Sequence, residues 1–155
     1  MIKINSVDGK VFHAALLHAK QHGKNMEGVD LYSIAEYDND MCCYLSNDSL
    51  SGYVINFNGE LLSVFSLVSK RGDTLVKHAI KHGAMKLNCF VDVSDNGIFS
   101  GPLWTLYSRN GFKLDTSVNV GGEFPVVNGV SPVAGKAQAV VHMSHNLPSR
   151  TVALY

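Results

Sequence analysis

The run from Leu61 to Phe112 constrains this chain most, because an apolar stretch, an Arg-Gly turn, an amphipathic segment and a second apolar stretch follow one another with little slack. Leu61 to Val68 is nearly unbroken in apolar residues and predicts a central strand covered on both faces. Ser69-Lys70-Arg71-Gly72-Asp73-Thr74 follows, and a helix starting at Asp73 or Thr74 leaves its first backbone N–H groups free beside two cations. Such a place suits an anion, phosphate first. The helix runs from Thr74 to about His82, with Leu75, Val76, Ala79 and Ile80 on one side, Lys77, His78, Lys81 and His82 on the other, and Gly83 as its stop. Lys86 to Asp92 reads as the next strand. A strand-helix-strand unit of this kind implies parallel pairing with a right-handed crossover.

Upstream, Ile2 to Ile4 reads as a short strand, followed by a helix with Ser6 or Asp8 as N-cap and Gly23 as stop. Its apolar stripe is Val11, Phe12, Ala15, Leu16 and Ala19, and His13, His18 and His22 fall mostly off it. Lys24 to Asp30 is a polar connection, Leu31 to Tyr37 a short helix or irregular turn, and Asp38-Asn39-Asp40 turn chemistry before a strand from Met41 to Leu45. Asn47-Asp48-Ser49 is another turn. Gly52 to Phe57, Asn58-Gly59, then Glu60 onward is a hairpin signal, since Asn-Gly supplies the positive φ angles of a two-residue turn.

Downstream, Ser94 to Gly101 reads as a loop, and Pro102 begins a helix that runs to about Arg109 and stops at Gly111. Lys113 to Val120 alternates as a strand does, Gly121 to Gly135 is a long flexible connection, and Ala137 to Met143 is a last strand before a polar tail.

A chain of 155 residues suits a single domain with its own core. It has 46% hydrophobic and 17% charged residues, with 13 basic and 13 acidic side chains. That balance argues against a disordered chain and against a dedicated nucleic-acid binder. The start of the chain lacks a signal-peptide pattern, and no stretch approaches the roughly 18 apolar residues of a membrane span. Three cysteines, two of them adjacent, make a poor disulfide framework. The expected compartment is therefore cytoplasmic, in a cell or in the host of a virus.

Read in order, Gly72 in its strand-to-helix turn, the strand Lys86 to Asp92 and the motif Leu106-Tyr107-x-x-x-Gly111-Phe112 resemble the GNAT superfamily of acyl-CoA-dependent N-acyltransferases. The resemblance is detailed from about Gly52 to Val120. The family's turn usually reads Arg/Gln-x-x-Gly-x-Gly/Ala. Aligned on Gly72 this chain has Ser69 first and Thr74 last, and aligned on Arg71 it has Thr74 and Val76 at the small positions, so what it resembles is a degenerate member. The resemblance implies one α/β domain with a mixed, mostly antiparallel sheet flanked by helices, with strands 61–68 and 86–92 splayed into a cofactor cleft. It implies acetyl-CoA or another acyl-CoA as cofactor. Ser69, Lys70, Arg71, Gly72, Asp73 and Thr74 would hold its phosphates, and the backbone of Phe65, Leu67 and Val68 its pantetheine. The acceptor would be a small-molecule or protein amine.

The resemblance gives Tyr107 the task of donating a proton or hydrogen bond to the departing thiolate, and the other reading packs its ring against the sheet. An attacking amine must lose a proton, since an unperturbed lysine has a pKa of about 10.4. Leu61 to Val68 holds no carboxylate, which leaves Glu60, Asp92 or His78 as base, with Ser63 or Ser66 able to hold a water. The missing strand carboxylate supports an alternative from another class: a catalytically inactive GNAT-like binding or structural protein. His78 and His82 read as a solvated basic helix face rather than a metal site, and Cys89 as a small buried apolar residue. An exposed edge strand near the C-terminus could pair with a second copy as a homodimer.

Overall fold

A computed structural model describes residues 2–145. The described chain is α/β, with four helices and two sheets whose pairings are all antiparallel. It divides into two compact units, one up to Ala84 and one from Met85 onward.

The first unit is a sheet in the order β1 (Ile4–Val7), β2 (Met41–Ser46), β3 (Ser51–Asn56), β4 (Leu61–Ser66). Helix α1 (Gly9–His22) is capped by Asp8, whose carboxylate accepts from Val11 N at 2.9 Å, and it ends at Gly23 as its sequence predicts. Its buried stripe is Phe12, Leu16 and Ala19, while Val11 faces out. These side chains meet Tyr37, Cys43, Leu45, Val54 and Phe65, with the Phe12 ring edge-on to both Tyr37 and Phe65. Each large apolar side chain buried this fully is worth about 2 kcal/mol of transfer free energy.

Helix α2 (Ile34–Asp40) begins later than the 31–37 expectation and absorbs Asp38-Asn39-Asp40, which is no turn. The reason is local: Ser33 and Glu36 form a capping box, Ser33 Oγ accepting from Glu36 N at 3.1 Å and Glu36 Oε1 accepting from Ser33 N at 3.2 Å. Helix α3 (Gly72–Lys81) covers the opposite face of this sheet, burying Leu75, Val76 and Ala79. Tyr53, which points to that face, reaches His78 there.

The expected parallel pairing of 61–68 with 86–92 does not occur. Strand β4 is the last in the order of its own sheet, and β5 (Lys86–Val93) pairs with β6 (Phe99–Ser100) and β9 (Gln138–His145), both antiparallel. A central position covered on both faces is likewise wrong for β4, whose Leu61, Ser63 and Phe65 are buried while Leu62, Val64 and Ser66 are only half-buried.

In the second unit the order is β6-β5-β9-β7, with β7 (Phe112–Leu114) and β8 (Val130–Pro132) sharing the far edge of β9. Helix α4 (Pro102–Arg109) packs on β5 and β7. Cys89 is buried with Leu87 and Val91, and Phe90 and Asp92 face out. The expected strand 113–120 is cut short at Leu114, because Asp115 accepts from Ser117 N at 3.1 Å and turns the chain. The expected loop 94–101 contains β6, and the connection 121–135 contains β8 and the bridges Val120 to Val126 and Val127 to Val130. The polar tail lies outside the described residues. No helix among the described residues is long and apolar enough to cross a membrane.

Gly52 is where the first sheet tolerates no side chain, since a β-carbon there would stand 2.5 Å from the Tyr44 carbonyl oxygen and 2.7 Å from Leu45 Cδ2. Gly52→Ala is expected to cost about 2 kcal/mol through overpacking. The check is the urea unfolding midpoint, which should fall with little change in slope.

Candidate functional site

Strand β4 carries an extra residue. Its pairing with β3 runs from Gly52 with Phe65 to Val54 with Leu62, so Ser63 and Val64 together oppose Tyr53, and Ser63 takes φ 52°. This bulge bends the strand and points the Ser63 hydroxyl inward. The hydroxyl is tied inside the protein: it donates to the Asp30 carbonyl at 2.7 Å and lies 3.1 Å from Tyr37 Oη, which also accepts from Tyr32 N at 3.1 Å. Ser63 is therefore a tie for the 30–33 segment rather than a holder of water.

Regular strand ends at Ser66, not Val68. The Ser66 hydroxyl donates to the Val68 carbonyl at 2.6 Å and accepts from Val68 N at 3.1 Å, which folds the chain back on itself. Phe65 is thus in the strand, and Leu67 and Val68 lie past it. The left-handed position of the following turn falls on Lys70, at φ 67°, and Gly72 is the first residue of α3 in ordinary helical conformation. The helix begins one or two residues earlier than expected. Its first N–H groups have no intrahelical acceptor, and Arg71 at the N-cap supplies no side-chain cap. Asp73 in the first turn complements the helix dipole, and Ser69, Lys70 and Thr74 are exposed.

Arg71 is not a loose cation. Its guanidinium donates to Asp48 Oδ1 at 3.0 Å, Asp48 Oδ2 at 2.7 Å and Ser51 Oγ at 3.1 Å. The Arg71 hydrogen bonds, then that from Ser46, hold the Asp48 carboxyl well below the usual carboxylate range. Sequence reasoning passes over Asp48, because a partner 23 residues upstream in a turn leaves no local pattern.

Tyr107 lies in the last turns of α4, 5% exposed, with its ring edge-on to Phe112 at 5.9 Å. Burial, then the nearby Cys89, pushes its hydroxyl well above the ordinary tyrosine range, so it stays protonated at neutral pH. Gly111 turns the chain at φ 94°, and a β-carbon there would stand 2.8 Å from His145 Nε2. Leu106-Tyr107-x-x-x-Gly111-Phe112 is thus a helix end, a left-handed turn and a strand start that only glycine completes.

The candidate bases are scattered. Glu60 sits in the β3–β4 hairpin, its carboxylate accepting from Asn56 Nδ2 at 3.2 Å. It stands at the opposite end of β4 from the 69–74 turn, roughly 20 Å away at strand rise. Asp92 is exposed on the outer face of β5. His78 is half-buried rather than solvated, with Nδ1 2.5 Å from the buried Tyr53 hydroxyl and its ring stacked on His82 at 4.0 Å. His82 Nδ1 donates to the His78 carbonyl at 2.8 Å. Burial pushes the Cys43 and Cys89 thiols up to about 12, and only Cys42 is exposed. Among the described residues no three His, Cys, Asp or Glu side chains converge as for a metal ion.

The sequence matches no protein-family model and no curated protein. Three solved structures are similar to the chain. An IAA acetyltransferase from Bacillus cereus shares 14% identity over 95% of this chain and 100% of its own, with a TM-score of 0.49. A Bacillus subtilis acetyltransferase in complex with CoA shares 15% over 95% and 99%, with a TM-score of 0.48. A ribosomal-protein-alanine N-acetyltransferase from Brucella melitensis shares 13% over 94% and 99%, with a TM-score of 0.49.

Burial first, then the charges of His82 and Lys81, lower the affinity of His78 for a proton. Its folded pKa lies below the unfolded value of about 6.5. Stability is therefore intact above that value and falls as pH drops through it, because the unfolded chain binds the proton more readily. Replacing His78 with Asn should shrink the loss of unfolding free energy between pH 7.5 and pH 5.5, as read by urea titration at the two values.

Proposed function

We propose that this chain is a divergent acyl-CoA-dependent N-acyltransferase that moves an acetyl-type group to an amine. The observation that carries the reading is a bulged β4 at the end of its sheet order, running within a few residues into the uncapped N-terminus of α3. The two features fit the two chemically different halves of coenzyme A. The outer edge of β4, unpaired with any strand among the described residues, offers backbone donors and acceptors to an extended amide chain, as pantetheine is. The start of α3 offers N–H groups and a dipole to a diphosphate, with Lys70 exposed beside them.

Bound acyl-CoA would supply the thioester carbonyl that the amine attacks. The chain's own contribution is to hold that ligand and to keep a proton on Tyr107 Oη, which its burial favours. Small-molecule or protein amines are the acceptor class that this chemistry requires.

A second reading, a GNAT-like binding or structural protein without catalysis, has one observation on its side. Glu60 is engaged in its hairpin at the far end of β4, and the Ser63 hydroxyl is spent on Asp30 and Tyr37, so neither is poised as a base or water holder near the turn.

Calorimetric titration with acetyl-CoA, with adenosine diphosphate as control, separates the two. The transferase reading expects saturable micromolar binding, about −8 kcal/mol. Absence of heat and of thermal stabilisation at millimolar ligand selects the second reading. A bulky replacement of Gly72 should abolish coenzyme binding with little loss of fold. Tyr107→Phe should lower kcat roughly 10²-fold while leaving coenzyme affinity nearly unchanged.

A further inference from the structure

Four side chains close a ring between the β2–β3 hairpin and the start of α3. Arg71 Nη1 donates to Ser51 Oγ at 3.1 Å, Ser51 Oγ donates to Ser46 Oγ at 3.0 Å, and Ser46 Oγ donates to Asp48 Oδ1 at 2.7 Å. Asp48 closes the ring by accepting from both Arg71 nitrogens. Backbone groups add to it: Ser51 N donates to Ser46 Oγ at 3.1 Å and Leu50 N to Asp48 Oδ1 at 3.1 Å. Ser46 and Ser51 are 3% and 0% exposed, so each hydroxyl must find its partners inside the protein, and the single Ser46 proton has the Ser51 carbonyl at 3.0 Å as a second acceptor besides Asp48. The paired, planar guanidinium can lie in only one orientation under these bonds.

This arrangement reverses the usual expectation for an arginine beside an anion site. Arg71 gives three of its five N–H donors to the protein, and what it fixes is the backbone of its own turn: the chain reverses just before it at the left-handed Lys70, and its carbonyl accepts the first helical bond of α3, from Leu75 N at 3.0 Å.

We infer that Asp48, Ser46 and Ser51 are positioning residues for anion binding at the start of α3, acting through Arg71 as a strut, while Lys70 is the cation that meets the anion. This rests on the coenzyme reading above for the identity of the anion. The strut itself does not depend on that reading.

The test uses Asp48→Asn and the milder Ser51→Ala, with Asp48→Glu as the conservative variant. Amide hydrogen exchange is read over residues 67–76, with 138–145 as internal control, and affinity is read for coenzyme A and for adenosine 3′,5′-bisphosphate. The expected result is at least tenfold faster exchange over 67–76 alone, and at least tenfold weaker binding of both ligands. KM should rise without a fall in kcat, and Asp48→Glu should recover part of each effect. Lys70→Ala should weaken binding while leaving exchange unchanged. Unchanged exchange in both Asp48→Asn and Ser51→Ala overturns the strut. Faster exchange with wild-type affinity overturns the positioning role. A wild-type chain that binds neither ligand overturns the coenzyme reading and the positioning role together, and the exchange result then still decides the strut.

Discussion

Polar groups that lose water must find partners inside the protein, and in the first unit that demand decides how the strands end. Ser63 is buried in a left-handed bulge and is tolerated because Asp30 and Tyr37 satisfy it. Ser46 and Ser51 are buried at the mouth of a hairpin and are tolerated because Asp48 and Arg71 complete their bonds. Tyr53 brings its hydroxyl into the space under α3 and finds His78. Remove any of these partners and the apolar contacts around them remain, but the backbone course they specify loses its reason. The apolar core of Phe12, Tyr37 and Phe65 supplies most of the free energy, and the polar ties select which arrangement that energy stabilises.

Elements with a strong local signal were legible in the sequence. Asp8 and Gly23 bound α1, Asn58-Gly59 marks the β3–β4 hairpin although only Gly59 takes a positive φ and the turn closes from Gly59 N to the Asn56 carbonyl rather than over two residues, and Pro102 and Gly111 bound α4, because capping and turn chemistry act over a few residues. The helix α2 was also locally encoded, in Ser33 and Glu36, and its boundaries shift once that box is recognised. What could not be read was pairing at a distance. Whether β4 pairs with β5 depends on all the other strands competing for those edges, and β9, more than 40 residues downstream by the numbering, is the partner β5 takes. The same limit hides Asp48 from anyone looking for the partner of Arg71. The motif around Tyr107 was visible because helix end, glycine turn and strand start are contiguous.

The charged groups near the turn divide into those already neutralised and those still exposed to solvent. Arg71 and Asp48 cancel one another, and Asp48 is ionised throughout the neutral range. In the proposed site the helix start would therefore meet an anion through its amides and dipole more than through an arginine, with one exposed lysine beside it. A site of that kind depends on backbone shape, which side-chain motifs describe poorly, and the degenerate sequence of the turn is compatible with it.

Strand β9 comes after every other strand of its sheet in chain order, yet β5, β7 and β8 all pair with it. During synthesis the first unit has all its strands as soon as β4 and α3 have left the ribosome. The second has β5 waiting with an open edge until residues 138–145 emerge. For that interval the β5 edge that β9 will take is open to whatever else can form a strand, so the time taken to translate residues 94–137 sets how long that edge stays unpaired.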